Sequence, residues 1–209
     1  MSIEDYQQNI SVSHQEETTT AHFSGNVVQI ACYPVIIKFQ LPGEEKSRKG
    51  GIAFLSEDRK HDFQQIEVFE RQVFQYLREK YNIDPKIWHR WTDQCAAQYK
   101  SQFTVEKLRT SSSSMGFCEE CQVNFYFFEV GEGKNESDSL GSLIKLAYCR
   151  ALHWNRDNAA RTVHEIAELI RESLATSSEK LDFIEAKVVE PFEREKNPKG
   201  IEIKGIPSS

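Results

Sequence analysis

With 209 residues, 39% of them hydrophobic and 28% charged, the chain holds material for one large domain, or one domain with a long tail, and is not disordered throughout. Its formal net charge of −6 excludes an overall basic surface, so a nucleic-acid partner requires a locally basic face or a separate basic domain. No apolar run reaches the length of a membrane span, the polar start MSIEDYQQ is no signal peptide, and the five cysteines are odd in number and scattered; reduced thiols, no membrane partner and a nuclear or cytoplasmic rather than secreted location are expected.

Residues 1–13 have strand character, with Ile3, Ile10 and Val12 as apolar points. Residues 26–41 are rich in Val and Ile and read as one or two strands broken near Pro34. The stretch PGEEKSRKGG is a turn, and Gly51–Leu55 a short buried strand. From Phe63 to Tyr81 the period changes: Phe63, Ile66, Phe69, Val73, Phe74 and Leu77 line one face of an amphipathic helix, which Asn82 to Pro85 ends. Ile87–Trp91 is a short strand, Cys95–Arg109 a helix, and TSSSS a loop.

Gln122–Val130 is the strongest strand signal, aromatic on both faces and so expected to be buried on both. Ser137–Trp154 is a helix turning Leu140, Leu143, Ile144, Ala147 and Ala151 inward; Ala159–Leu174 is another. Phe183–Val189 is strand-like and precedes a charged tail, whose run Glu190–Lys196 reads as solvent-exposed. The order β-β-β-α-β-α-β-α-α implies an α/β fold: a mixed sheet of about five strands, the first three antiparallel, with helices on both faces. Leu55, Ile87, Phe125, Phe127 and Leu143 are the expected core. Residues 1–176 form the expected domain, and 177–209 a C-terminal extension with a short strand and a charged tail.

Three strings carry more than fold. They are Glu4-Asp5-Tyr6-Gln7-Gln8-Asn9; Trp91-Thr92-Asp93-Gln94-Cys95-Ala96-Ala97-Gln98-Tyr99-Lys100; and Gly131-Glu132-Gly133-Lys134-Asn135-Glu136-Ser137-Asp138-Ser139-Leu140-Gly141. They resemble the signature strings of a group of eukaryotic transposon-encoded proteins, typically Asp-Phe-Ala-Glu-Asn, then Ser-Asp-Gly-Cys-Ala-Ala-Gln-Tyr-Lys, then His-Gly-Lys-Gly-x-Cys-Asp. Ala21-His22-Phe23 is similar to the group's Ala-His-Trp, and Ser56-Glu57-Asp58-Arg59-Lys60-His61-Asp62 to its Ser-Asp-Asp-x-Lys-His-Asp. The resemblance runs through nearly the whole chain in order, and Cys-Ala-Ala-Gln-Tyr-Lys is its most specific part. There are departures: Glu132 stands where the group usually has His, Asn135 where it has Gly, Ser137 where it has Cys, and Gln8 where it has Glu. With four residues before Asp5 and no upstream DNA-binding part, the chain is expected to be a fragment.

The resemblance implies the ribonuclease H-like catalytic domain of a DDE-type transposase. In it Asp5, Asp93 and Asp138 would form the acidic triad that holds Mg2+ (or Mn2+) for DNA cleavage and strand transfer. The chemistry requires such residues, because two hard cations roughly 3.5–4 Å apart take oxygen ligands, activate the attacking oxygen and stabilise the leaving one, whereas histidine and thiolate favour zinc. Asp5 lies on the first expected strand, Asp93 follows the strand Ile87–Trp91, and Asp138 opens the helix after Gln122–Val130. Each has a plainer alternative: Asp138 with Ser137 as a helix N-cap, Asp93 as the cap of the helix from Cys95, and Asp5 as a surface acid.

Gln98, Lys100 and Lys134 are nucleic-acid-contact candidates, each lysine alone being an ordinary solvated residue. Cys118-Glu119-Glu120-Cys121 is a lone CxxC and reads as two free thiols, since His89 and Cys95 lack zinc-site spacing. Asp62 reads as an N-cap, and His61 as structural, with a place near the acidic cluster as the alternative. No Gly-x-Ser-x-Gly, Walker or dinucleotide string occurs. The expected partner is DNA, bound weakly by this part alone; a homo-oligomer is open. Two other functions stand beside the nuclease: a non-catalytic, domesticated or decayed transposase domain, and a ribonuclease H-like nuclease on RNA or RNA–DNA hybrid. The altered third string and the negative charge weigh toward the non-catalytic one, so enzymatic activity is open.

Overall fold

A computed structural model describes residues 1–5, 7–12, 28–92, 121–129, 136–154, 162–174 and 181–194. The elements are β1 (Ser2–Glu4), β2 (Gln7–Val12), β3 (Val28–Phe39), β4 (Arg48–Ser56), α1 (Phe63–Tyr81), β5 (Ile87–Thr92), β6 (Gln122–Phe127), α2 (Glu136–Trp154), α3 (Val163–Leu174) and β7 (Phe183–Val188). The helix expected over Cys95–Arg109 lies outside the described residues.

The strands form one mixed sheet in the order β6-β5-β1-β3-β4-β7, with β2 also paired to β3. β1 and β2 both run antiparallel to β3, and β3 antiparallel to β4. β5 is parallel to β1, β6 parallel to β5, and β7 parallel to β4. The fold is therefore α/β with a mixed sheet, its first strands antiparallel as expected. It has seven described strands rather than about five, because the first strand is divided and Phe183–Val188 joins the β4 edge.

β3 explains the two-layered core. Along its twelve residues Ile30, Cys32 and Ile36 enter one cluster while Tyr33, Val35 and Ile37 enter the other, so the strand is buried on both faces. α1 covers the second cluster with Phe63, Ile66, Phe69, Val73 and Leu77; α2 and α3 cover the first with Leu140, Ile144, Ala147, Ile166 and Ile170. Phe69 stacks on both Phe54 and Tyr33, each ring pair at 5.0 Å. Asp62 caps α1, its side chain accepting from the Gln65 amide, and Asn82 ends it in a left-handed conformation (φ 54°).

Pro34 does not break β3. It has no N–H to give a ladder, but the register puts it opposite the gap between β1 and β2: Glu4 pairs with Val35 and Gln7 with Cys32. Two expected core residues are corrected. Ile87 is 55% exposed and Phe127 37% exposed, whereas Leu55 is fully buried and Leu143 and Phe125 partly so. β6 is not buried on both faces, because it ends the described sheet and α2 packs over β3 and β4 instead. At the other edge the Phe183 ring lies against Gly50, 2.0 Å from where a Cβ would stand.

Candidate functional site

The site is set by the parallel pair at the middle of the sheet. Ser2, Ile3 and Glu4 pair with Arg90, Trp91 and Thr92, so β1 and β5 end level. Asp5 is the next residue of one chain segment and Asp93 of the other. Phe128 brings the end of β6 to the same level, its amide donating to the Thr92 carbonyl at 3.0 Å. Asp5 is half-buried and follows Glu4, the partner of Val35.

The first turn of α2 is anchored to the same place. The Ser137 hydroxyl is buried and donates to the Pro34 carbonyl at 2.6 Å. Glu136 accepts from Lys49 at 2.7 Å and pairs with Lys38 at 2.9 Å, two lysines paired across β3 and β4. Burial works against the ionised Glu136, but the two ammonium groups prevail and hold its carboxyl below the usual range. Asp138 is half-buried within this first turn. Ser137 and Asp138 are thus inside the helix, not its cap: Ser137 is occupied with the sheet, and α2 already begins at Glu136. Asp93, Gln98, Lys100 and Lys134 lie outside the described residues. Among the described residues no group of three or more His, Cys, Asp or Glu side chains could hold a metal. Asp5 and Asp138 supply hard oxygen donors suited to magnesium or manganese, and a third ligand would have to come from Asp93.

Sequence reading missed the polar network on the opposite face of the sheet. Glu4 and Arg90 are buried beneath α1. Arg90 Nε donates to Glu4 Oε2 at 2.9 Å, and Nη2 is 2.8 Å from the same oxygen. The Tyr33 hydroxyl donates to Glu4 Oε2 at 2.7 Å; the Ser2 hydroxyl donates to Glu4 Oε1, and the Trp88 indole to Ser2 at 3.1 Å. The guanidinium lies 4.7 Å from the Phe125 ring centre. Glu70 of α1 is 2.8 Å from Arg90 Nε, at ion-pair distance but without an aligned hydrogen bond. Burial, joined by the Glu4 carboxylate, pushes the Glu70 carboxyl well above its usual range despite Arg90. The available signal was a Glu and an Arg at inward positions of short strands, which alternation alone marks as buried.

Elsewhere the structure departs from plain expectation at the tail. Arg194 is anchored rather than free in solvent: it donates to Asp62 Oδ2 at 2.5 Å and Asp58 Oδ2 at 2.6 Å. His61 Nε2 meets Asn9 Oδ1 at 2.9 Å, and burial lowers its pKa. Trp91, near the end of β5, stacks on Tyr126 at 4.7 Å. Cys32 and Cys121 are buried free thiols and Cys149 an exposed one; Cys118 lies outside the described residues. Burial pushes Cys32 up to about 12, which leaves it inert as a nucleophile.

The family model described as Domain of unknown function (DUF8701) matches residues 1–208, and the chain belongs to this family. No curated protein and no solved structure matches it. Among the described residues no helix is long and apolar enough to cross a membrane.

Proposed function

We propose that this chain is a ribonuclease H-like, transposase-derived domain of DDE type, which cleaves DNA through Asp5, Asp93 and Asp138 with magnesium or manganese. The observation that carries the reading is the parallel pairing of Glu4 with Thr92. It makes two of the three acids the next residues after register partners, on adjacent strands in the middle of the sheet. The Ser137–Pro34 hydrogen bond adds the turn that bears the third. Antiparallel first strands, later parallel strands and helices on both faces are the arrangement that the resemblance implies.

Asp5 and Asp138, with Asp93, would hold the cations. When bound, the metal pair activates the attacking oxygen and stabilises the leaving one. The chain's part is to keep three carboxylates at fixed separations, which strand ends and a side-chain-anchored helix turn do better than free loops.

A second reading, a non-catalytic domain of the same origin, is favoured by the departures at Glu132, Asn135 and Ser137 and by the net charge of −6. The test is manganese-dependent nicking of a supercoiled plasmid by the wild type and Asp93→Asn. Nicking by the wild type alone supports the nuclease; equal nicking by both points to a contaminant. No nicking and no manganese binding by the wild type leaves the non-catalytic reading.

A further inference from the structure

β1 is only three residues long, Ser2–Glu4, yet it must deliver Asp5 to a fixed level against β5. Few backbone hydrogen bonds can specify so short a parallel pairing. Side-chain alternation forbids a slip by one residue, because Ile3 would leave the α2 face and Glu4 would enter it. Alternation does not forbid a slip by two. That slip keeps every face correct and moves Asp5 by about 7 Å along the sheet, at about 3.3 Å per residue. Ligands of cations about 4 Å apart cannot tolerate such a displacement.

What distinguishes the two registers is the ion pair. The Arg90 and Glu4 side chains are 0% and 1% exposed, 2.8 Å apart. Glu4 is also fixed from the other side by Tyr33 of β3, and Ser2 by Trp88 of β5. A two-residue slip that carries Glu4 away from Arg90 would part the carboxylate from the guanidinium in a place where water cannot replace either partner. The opposite slip, which would set Glu4 across from Arg90, would move it from the level of Val35 to that of Ile37 and draw it off the Tyr33 hydroxyl. We propose that Glu4 and Arg90 form a register clamp between β1 and β5 and are positioning residues for the acidic site on the opposite face. The clamp selects, among the registers that the apolar pattern allows, the one that pairs Glu4 with Thr92. The inference rests on the nuclease reading and names two residues, outside the acidic triad, on which that site depends.

The test uses the full chain and two variants, Glu4→Gln/Arg90→Met, which removes both charges, and Arg90→Lys, which keeps the charge but loses the planar fork. Two quantities are measured: manganese affinity, from paramagnetic relaxation of water protons, and hydrogen exchange at the Ser2, Ile3 and Glu4 amides. The double variant is expected to melt cooperatively, to bind manganese at least tenfold more weakly and to exchange its β1 amides faster. Arg90→Lys is expected to show a smaller loss in both. Should the double variant not fold, Arg90→Lys decides alone. Wild-type binding retained in the folded variants, with β1 still protected, overturns the clamp and leaves the nuclease reading intact. A wild type that binds no manganese overturns both, since Glu4 and Arg90 then position nothing.

Discussion

Replacing Arg90 by Met tests how much of the fold hangs on one buried cation. The substitution keeps a long side chain against Phe125 but takes the guanidinium partner from the buried Glu4 carboxylate. The pair is fully buried, 2.8 Å apart, and hydrogen-bonded through Nε. Removing one partner of such a pair costs about 3–5 kcal/mol, because the other charge stays buried without compensation. For a chain of this size, that lowers the melting temperature by about 6–20 °C. Circular dichroism melts and urea titrations at neutral pH measure it. The double variant Glu4→Gln/Arg90→Met is expected to recover most of the loss, since no unpaired charge remains. A loss under about 1 kcal/mol for Arg90→Met, the range of an exposed pair, would refute the burial argument.

Three further outcomes are expected. The Glu70 carboxyl is held above its ordinary value near 4.5; its contribution to stability is full below that value and is lost as pH rises through the folded pKa. Glu70→Gln should therefore flatten the decline, which urea titrations from pH 4 to 9 would measure; an unchanged slope counts against a raised Glu70 pKa. Gly50→Val forces the Phe183 ring off the sheet, so it should cost about 1–3 kcal/mol and loosen β7, read by limited proteolysis near residue 183. Asp62→Ala removes both the α1 cap and one Arg194 partner; a loss of about 1–2 kcal/mol is expected in urea titration, and no change would show that neither bond matters.

Local pattern was enough for several elements. The period of Phe63, Ile66, Phe69, Val73 and Leu77 marked α1 with both ends correct, because a helix over an apolar sheet must show its stripe. The Val- and Ile-rich run marked β3, which Pro34 does not break; Gly51–Leu55 marked the middle of β4, which begins earlier, at Arg48; and Phe183–Val188 formed as a strand. Local pattern failed at β6. Aromatic richness on both faces looks the same in a central strand and an edge strand, and only sheet order tells them apart.

For the candidate site, the sequence by itself determined the acids and their order along the chain, and the resemblance gave them a shared chemistry. Only the tertiary structure decided that Glu4 and Thr92 are neighbours, that Pro34 faces the break after β1, and that Ser137 ties α2 to it. It also turned Glu4, Glu70 and Arg90 from ordinary surface-type residues into a buried set. The physical reason is range. Periodicity and caps are written within a few residues, whereas Glu4 and Arg90 are 86 residues apart, and their pairing exists only once strands distant in sequence are hydrogen-bonded side by side.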